Sequence, residues 1–173
     1  MSARPAYRLR QFLLAWTAKP ASGDLAQAQQ LLGPRLWLLF LQQQPGEQAH
    51  SLDVLKRITT QGHTDPDLLV AALLHDVGKS RAPLTPWDRT WIVLAKRIAP
   101  QRVRHWGSGS PTGWKRIFVV AEQHPAWGAE MAAAAGASPS TVRLIAQHQN
   151  RRPDLPAPLA ESLRILQGAD DES

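Results

Sequence analysis

The chain predicts an all-α fold, and three observations carry that prediction. No stretch alternates apolar and polar residues between turn signals, as a half-buried strand would. Apolar residues recur instead at spacings of three and four, the period of a helix with one buried face. Helix ends are also legible. Asp65-Pro66, Thr85-Pro86 and Ser138-Pro139 each set a capping side chain before a proline suited to the first helical position. Gly62, Gly78 and Gly136 each stand where a last turn can close in the left-handed conformation.

Taken in order, the first segment predicts helices over residues 6–18, 23–32 and 34–44. Arg4, Arg8 and Arg10 ahead of Phe12-Leu13-Leu14-Ala15-Trp16 faintly imitate a signal peptide, but Thr17 and Lys19 interrupt the apolar stretch, and an amphipathic helix is expected. A helix over 46–61 closes at Gly62. The next, over 66–77, opens at Asp65-Pro66 and closes at Gly78. Thr85-Pro86 opens a helix over 86–99. The run from Trp106 to Gly113 predicts a loop and not a phosphate cradle, since no strand precedes it. Helices over 113–123 and 125–135 are separated at His124-Pro125, and two more follow over 139–149 and 158–170. The seven tryptophans are expected mostly to pack.

A length of 173 residues suits one domain, and 43 % hydrophobic against 20 % charged residues allows a real core. The longest apolar runs, Leu36 to Leu41 and Leu68 to Leu74, fall far short of the ~18 residues that a spanning helix needs. The absence of cysteine excludes disulfides, thiolate metal sites and a cysteine nucleophile. A cytoplasmic location is the default expectation. The net charge of +6 is unevenly placed. Arg89, Lys96, Arg97, Arg102, Arg104, Lys115 and Arg116 form a block with no acidic residue, open to a phosphorylated small molecule, nucleic acid or a solvated role.

Six histidines are present, and the context of four of them is informative. His75 and Asp76 are adjacent at the end of the apolar helix that carries Leu68 to Leu74. Burying an imidazole and a carboxylate there costs desolvation energy unless a partner is supplied. A divalent cation supplies one, and this donor pair suits Zn, Fe, Mn or Ni better than Ca or Mg.

His50, His75-Asp76 and Asp170 follow the order H…HD…D, and the wording around each position is also informative. Ala71-Ala72-Leu73-Leu74-His75-Asp76-Val77-Gly78-Lys79 is close to the phrase LLHDIGK. His124-Pro125-Ala126-Trp127-Gly128-Ala129-Glu130 resembles HPxxGAE, Ile145-Ala146-Gln147-His148 resembles IxxH, and Gly168-Ala169-Asp170 resembles xAD. Over residues 46–173 the chain therefore resembles the HD-domain superfamily of metal-dependent phosphohydrolases. The resemblance implies a helical HD bundle at 46–173, preceded by an N-terminal helical extension at 1–45.

It also implies two divalent transition-metal ions, Fe or Mn favoured over Zn, Ni or Mg. One ion would take His50, His75, Asp76 and Asp170; the other would take His124 and His148, with Asp76 bridging. The implied reaction is attack by a metal-activated hydroxide on a phosphoester or phosphoanhydride of a nucleotide-like substrate. Asp76 and Lys79 are the candidate catalytic residues, and Lys79, Arg151 and Arg152 the candidate phosphate contacts. The branch that opens cyclic di-GMP carries a Gly-Tyr-Pro loop after the fourth histidine, where this chain has Gln149-Asn150-Arg151-Arg152-Pro153. Diadenosine tetraphosphate and cyclic di-AMP remain open as substrates. Asp171 competes with Asp170 for the closing role, and the span from Asp76 to His124 has room for an inserted lid. Two other functions share the pattern: a di-iron oxygenase of the same superfamily, and a non-catalytic module binding nucleotide or nucleic acid.

Overall fold

The structure, a computed structural model, describes residues 22–173. The helix expected over 6–18 lies outside the described residues, as does Trp16. Among the described residues there are eight α-helices, two short 3-10 turns and no strand. The helices are α1 (Ser22–Phe40), α2 (Pro45–Thr60), α3 (Pro66–Leu74), α4 (Pro86–Ile98), α5 (Pro100–Gly107), α6 (Arg116–Ala134), α7 (Pro139–Gln147) and α8 (Ala157–Asp171). The 3-10 turns cover Val77–Arg81 and Gly113–Lys115.

The capping signals act as their chemistry dictates. The Asp65, Thr85 and Ser138 side chains accept from the backbone N–H groups of Asp67, Asp88 and Thr141, satisfying donors that a first helical turn leaves open. Gly62 and Gly136 take φ of 87° and 92°, as a left-handed helix stop requires. The two helices expected over 23–32 and 34–44 are the halves of α1, bent where Gly33 adopts φ 65° and ψ 177°.

Two expectations are corrected, and one helix is new. Gly78 has no positive φ and lies within a 3-10 turn; its lack of a side chain serves close approach, because a Cβ there would run into the His124 carbonyl and the Gly128 amide. The break expected at His124-Pro125 does not occur. Pro125 sits inside the continuous helix α6, buried, at the cost of one backbone donor. Helix α5 was not expected, its single apolar anchor Val103 giving no period to read.

Two cores hold the bundle. The larger draws on α1, α2, α3, α7, α8 and the second half of α6, with Phe40, Ile58, Leu73, Leu74, Leu144 and Leu166 fully buried. Helix α3 lies at its centre, packed against α1, α2, α7 and α8. The smaller core, formed by Leu84, Ile92, Val103, Phe118, Val120 and Ala121, fastens α4 and α5 to the first half of α6. The tryptophans divide. Trp37, Trp106 and Trp127 pack against these cores, whereas Trp87, Trp91 and Trp114 are exposed.

Candidate metal centre

Five segments bring six donor side chains to one place. His50 comes from α2, His75 and Asp76 from the junction between α3 and its 3-10 turn, His124 from the middle of α6, His148 from the end of α7, and Asp170 from the last turn of α8. The Gly78 contact sets His124 beside the His75-Asp76 pair, since α6 can approach the turn only where no side chain intervenes.

The histidines are oriented by their own backbone. His75, His124 and His148 are buried, and each donates its Nδ1–H to a carbonyl about one turn back: Ala72 at 2.9 Å, Val120 at 2.9 Å and Ile145 at 2.8 Å. A carbonyl only accepts, so Nδ1 carries the proton and Nε2 presents a lone pair to the interior. The Nε2 atoms of His124 and His148 stand 3.3 Å apart, lone pair toward lone pair. His124 Nε2 is 3.2 Å and His148 Nε2 3.8 Å from Asp76 Oδ1. His75 Nε2 is buried without a hydrogen-bond partner, 3.7 Å from Asp76 Oδ2 and 3.5 Å from Asp170 Oδ1. His50 Nε2 closes the other side, 2.9 Å from Asp170 Oδ1.

Two donor groups result, His50–His75–Asp76 and Asp76–His124–His148, each with one ligand atom per residue within 4.8 Å of the others. They share Asp76, and Asp170 adjoins the first. Nitrogen and carboxylate donors gathered this closely, with an orphaned buried nitrogen among them, fit divalent transition cations. The bonds to Ala72, Val120 and Ile145 supply the outer support that metal-ligating imidazoles need.

The electrostatics follow from burial. Burial alone would raise the Asp76 carboxyl, but Lys79 and His75, aided by His124, hold it well below the usual range. Burial pushes His148 down to about 3, with the His124 and His75 rings adding to the effect. Burial likewise lowers His124. For His75 the burial effect is outweighed by Asp76 and Asp170, which draw positive charge to that ring.

Other candidates from the sequence lie at various distances from this centre. Lys79 forms an ion pair with Asp76 Oδ2. Arg151 is exposed and pairs with Asp171 at 2.9 Å; Asp171 lines the cavity beside the centre and belongs to neither donor group. Arg152 is exposed. His63 and His105 stand outside the cluster, one half-buried and the other exposed. Sequence reasoning missed Glu47, a buried carboxylate held by Arg89 of α4 at 2.6 Å. Burial raises the Glu47 pKa, and Lys79 and Asp76 are close enough to act on it. Gln149 was also missed; its amide reaches His124 Nε2 at 3.3 Å.

The family model for the HD domain matches residues 48–173, a span that holds all six converging side chains. The chain belongs to the HD domain family. No curated protein and no solved structure matches it. Membership sets the activity in coarse terms, as that of a metal-dependent phosphohydrolase family. In this HD domain the centre opens onto a cavity of about 260 Å³ lined by Lys96, His148, Gln149, Arg151, Gln167 and Asp170, among others. Lys96 and Gln149 also line an adjoining groove of about 440 Å³ that continues past Arg104. None of the described helices is long and apolar enough to cross a membrane.

Proposed function

We propose that this HD domain hydrolyses a phosphoester or phosphoanhydride of a nucleotide-like small molecule at a centre for two divalent cations. The observation that carries the reading is the shared carboxylate: Asp76 faces His124 and His148 through Oδ1 and His75 through Oδ2. His50, His75, Asp76 and Asp170 would hold one ion, and Asp76, His124 and His148 the other. Fe or Mn is favoured, with Zn, Ni and Mg as alternatives. When bound, such ions supply Lewis acidity and lower the pKa of water enough to furnish a nucleophile near neutral pH.

The residues of the chain do the remaining work. The backbone-bound imidazoles keep their lone pairs aimed inward without reorganisation. Lys79, drawn toward the centre by Asp76, is the candidate contact for a phosphate oxygen. Lys96 and Arg151 place two cations at the mouth, paired with Glu122 and Asp171, that a phosphate could recruit by displacing those carboxylates. Arg152 is a further candidate at the same rim.

Metal analysis of the purified chain, followed by a nucleotide panel with Mn or Fe supplied, tests the reading. Phosphate or nucleoside monophosphate release that depends on metal supports it. Iron-dependent oxygen consumption without phosphoryl cleavage would replace it with an oxygenase. Nucleotide binding with neither metal nor turnover would replace it with a binding module.

A further inference from the structure

The side of α4 that faces solvent is built from large apolar residues. Trp87, Trp91, Leu94 and Ile98 are 73, 62, 44 and 80 % exposed. At about 100° per residue, steps of four, three and four return to one side, so these side chains share an arc of about 60°. The stripe is not a core face left over by loose packing, because the opposite side of α4 is already engaged. Ile92 and Ala95 enter the smaller core, Lys96 pairs with Glu122 at 3.4 Å, and Arg89 holds Glu47.

Cations flank the stripe. Arg97 on α4 and Arg102 on α5 are exposed, and neither forms an ion pair among the described residues. Ile98 and Arg102 line one open hollow of about 470 Å³ with Ala99, Pro100 and Gln101, so an aliphatic side chain adjoins a guanidinium. The acidic residue of α4, Asp88, is half-buried and occupied by Arg116 at 3.2 Å and by the Thr85 N–H at 2.8 Å.

We propose that the outer face of α4, with the arginines beside it, docks on an anionic lipid surface. An amphipathic helix with tryptophan and aliphatic residues on one side and arginines at its edge lies in the plane of a membrane interface. Tryptophan is favoured at headgroup depth, and the arginines meet lipid phosphates. Charge argues against other covers. Pairing the stripe with that of a second copy sets Arg97 against its own mate when the helices run parallel, and toward Asp88, already held by Arg116, when they run antiparallel. The segment 1–21 carries Arg4, Arg8, Arg10 and Lys19 and no acidic residue, so it has the same sign as the face. Single-stranded nucleic acid would suit the arginines and could stack on Trp87 and Trp91, but half of the stripe, Leu94 and Ile98, is aliphatic and offers bases no stacking surface.

Co-sedimentation of the full chain with two kinds of vesicle tests the proposal, one of phosphatidylcholine alone and one of phosphatidylcholine mixed with phosphatidylglycerol. Binding to the anionic vesicles should be about tenfold stronger or more, and should weaken as salt rises. The pair Trp91→Ser with Ile98→Ser, and separately the pair Arg97→Gln with Arg102→Gln, should each reduce that binding about tenfold with helical content unchanged. Leu38→Ser, an equally exposed apolar position on α1, should leave it intact. Failure to bind anionic vesicles overturns the proposal. So does binding that survives both pairs of changes, which would move the activity to segment 1–21. Self-association abolished by the Trp91 and Ile98 changes would make the stripe a subunit interface. Oligonucleotide binding lost with the arginines, in a chain that ignores vesicles, would make it a nucleic-acid face.

Discussion

Asp76 touches more of the centre than any of its neighbours, with Lys79, His75, His124 and His148 all within ion-pair distance of its carboxylate. Asp76→Ala should therefore remove bound metal and turnover together, whereas His63→Ala and His105→Ala should change neither. Elemental analysis beside a rate assay separates these outcomes, and equal damage from all three would assign the histidines to folding. Lys79→Ala should slow turnover about tenfold or more with metal content kept, since a charge-assisted contact to phosphate contributes roughly 1.5–3 kcal/mol. The converging side chains were legible because each stands in a distinctive local phrase. Gly78 was legible as a special position, but for a reason the structure replaces: it makes room for the His124 carbonyl and does not reverse the chain. Glu47 and Arg89 were not legible. Their pairing spans 42 positions, and neither residue has a local pattern that marks it as buried.

Helix starts were the most readable elements, because a capping side chain and a following proline act within one turn of themselves. The helix α5 and the unbroken α6 were harder to read. Helix α5 rests on packing across the smaller core, and Pro125 is tolerated because the buried surroundings of α6 outweigh one missing donor. The Arg89–Glu47 contact is the polar tie between α4 and α2. Arg89→Leu should destabilise the fold by roughly 3 kcal/mol, the low end for a buried pair because Arg89 keeps partial exposure. Adding Glu47→Leu should restore much of that loss, since no unpaired carboxylate then remains buried. Denaturant unfolding of the two single variants and the double variant measures the coupling, and strict additivity would show that the pair does not act as a unit.

At the scale of the molecule, the centre joins five segments at one point. Bound cations therefore stabilise the whole bundle, not one helix. At free metal of about a hundred times the dissociation constant, one site adds about 2.7 kcal/mol, and a chain of this size moves by about 2–4 °C per kcal/mol. Calorimetry should accordingly show the unfolding midpoint falling by roughly 5–10 °C when a chelator strips one site. An unchanged midpoint would place the metal outside the bundle centre.

The separation of His50 from Asp170 along the chain also has a consequence in time. Their contact joins α2 to α8 across 120 positions and forms only when both helices are already docked. A cation that needs both residues finds no site in a half-built bundle, so its contribution is expected after the folding transition state. Added metal should leave the refolding rate nearly unchanged and slow unfolding by the full binding term, a division that stopped-flow measurements of both limbs would reveal. Metal would then act as a latch, prolonging the native state without hastening its arrival.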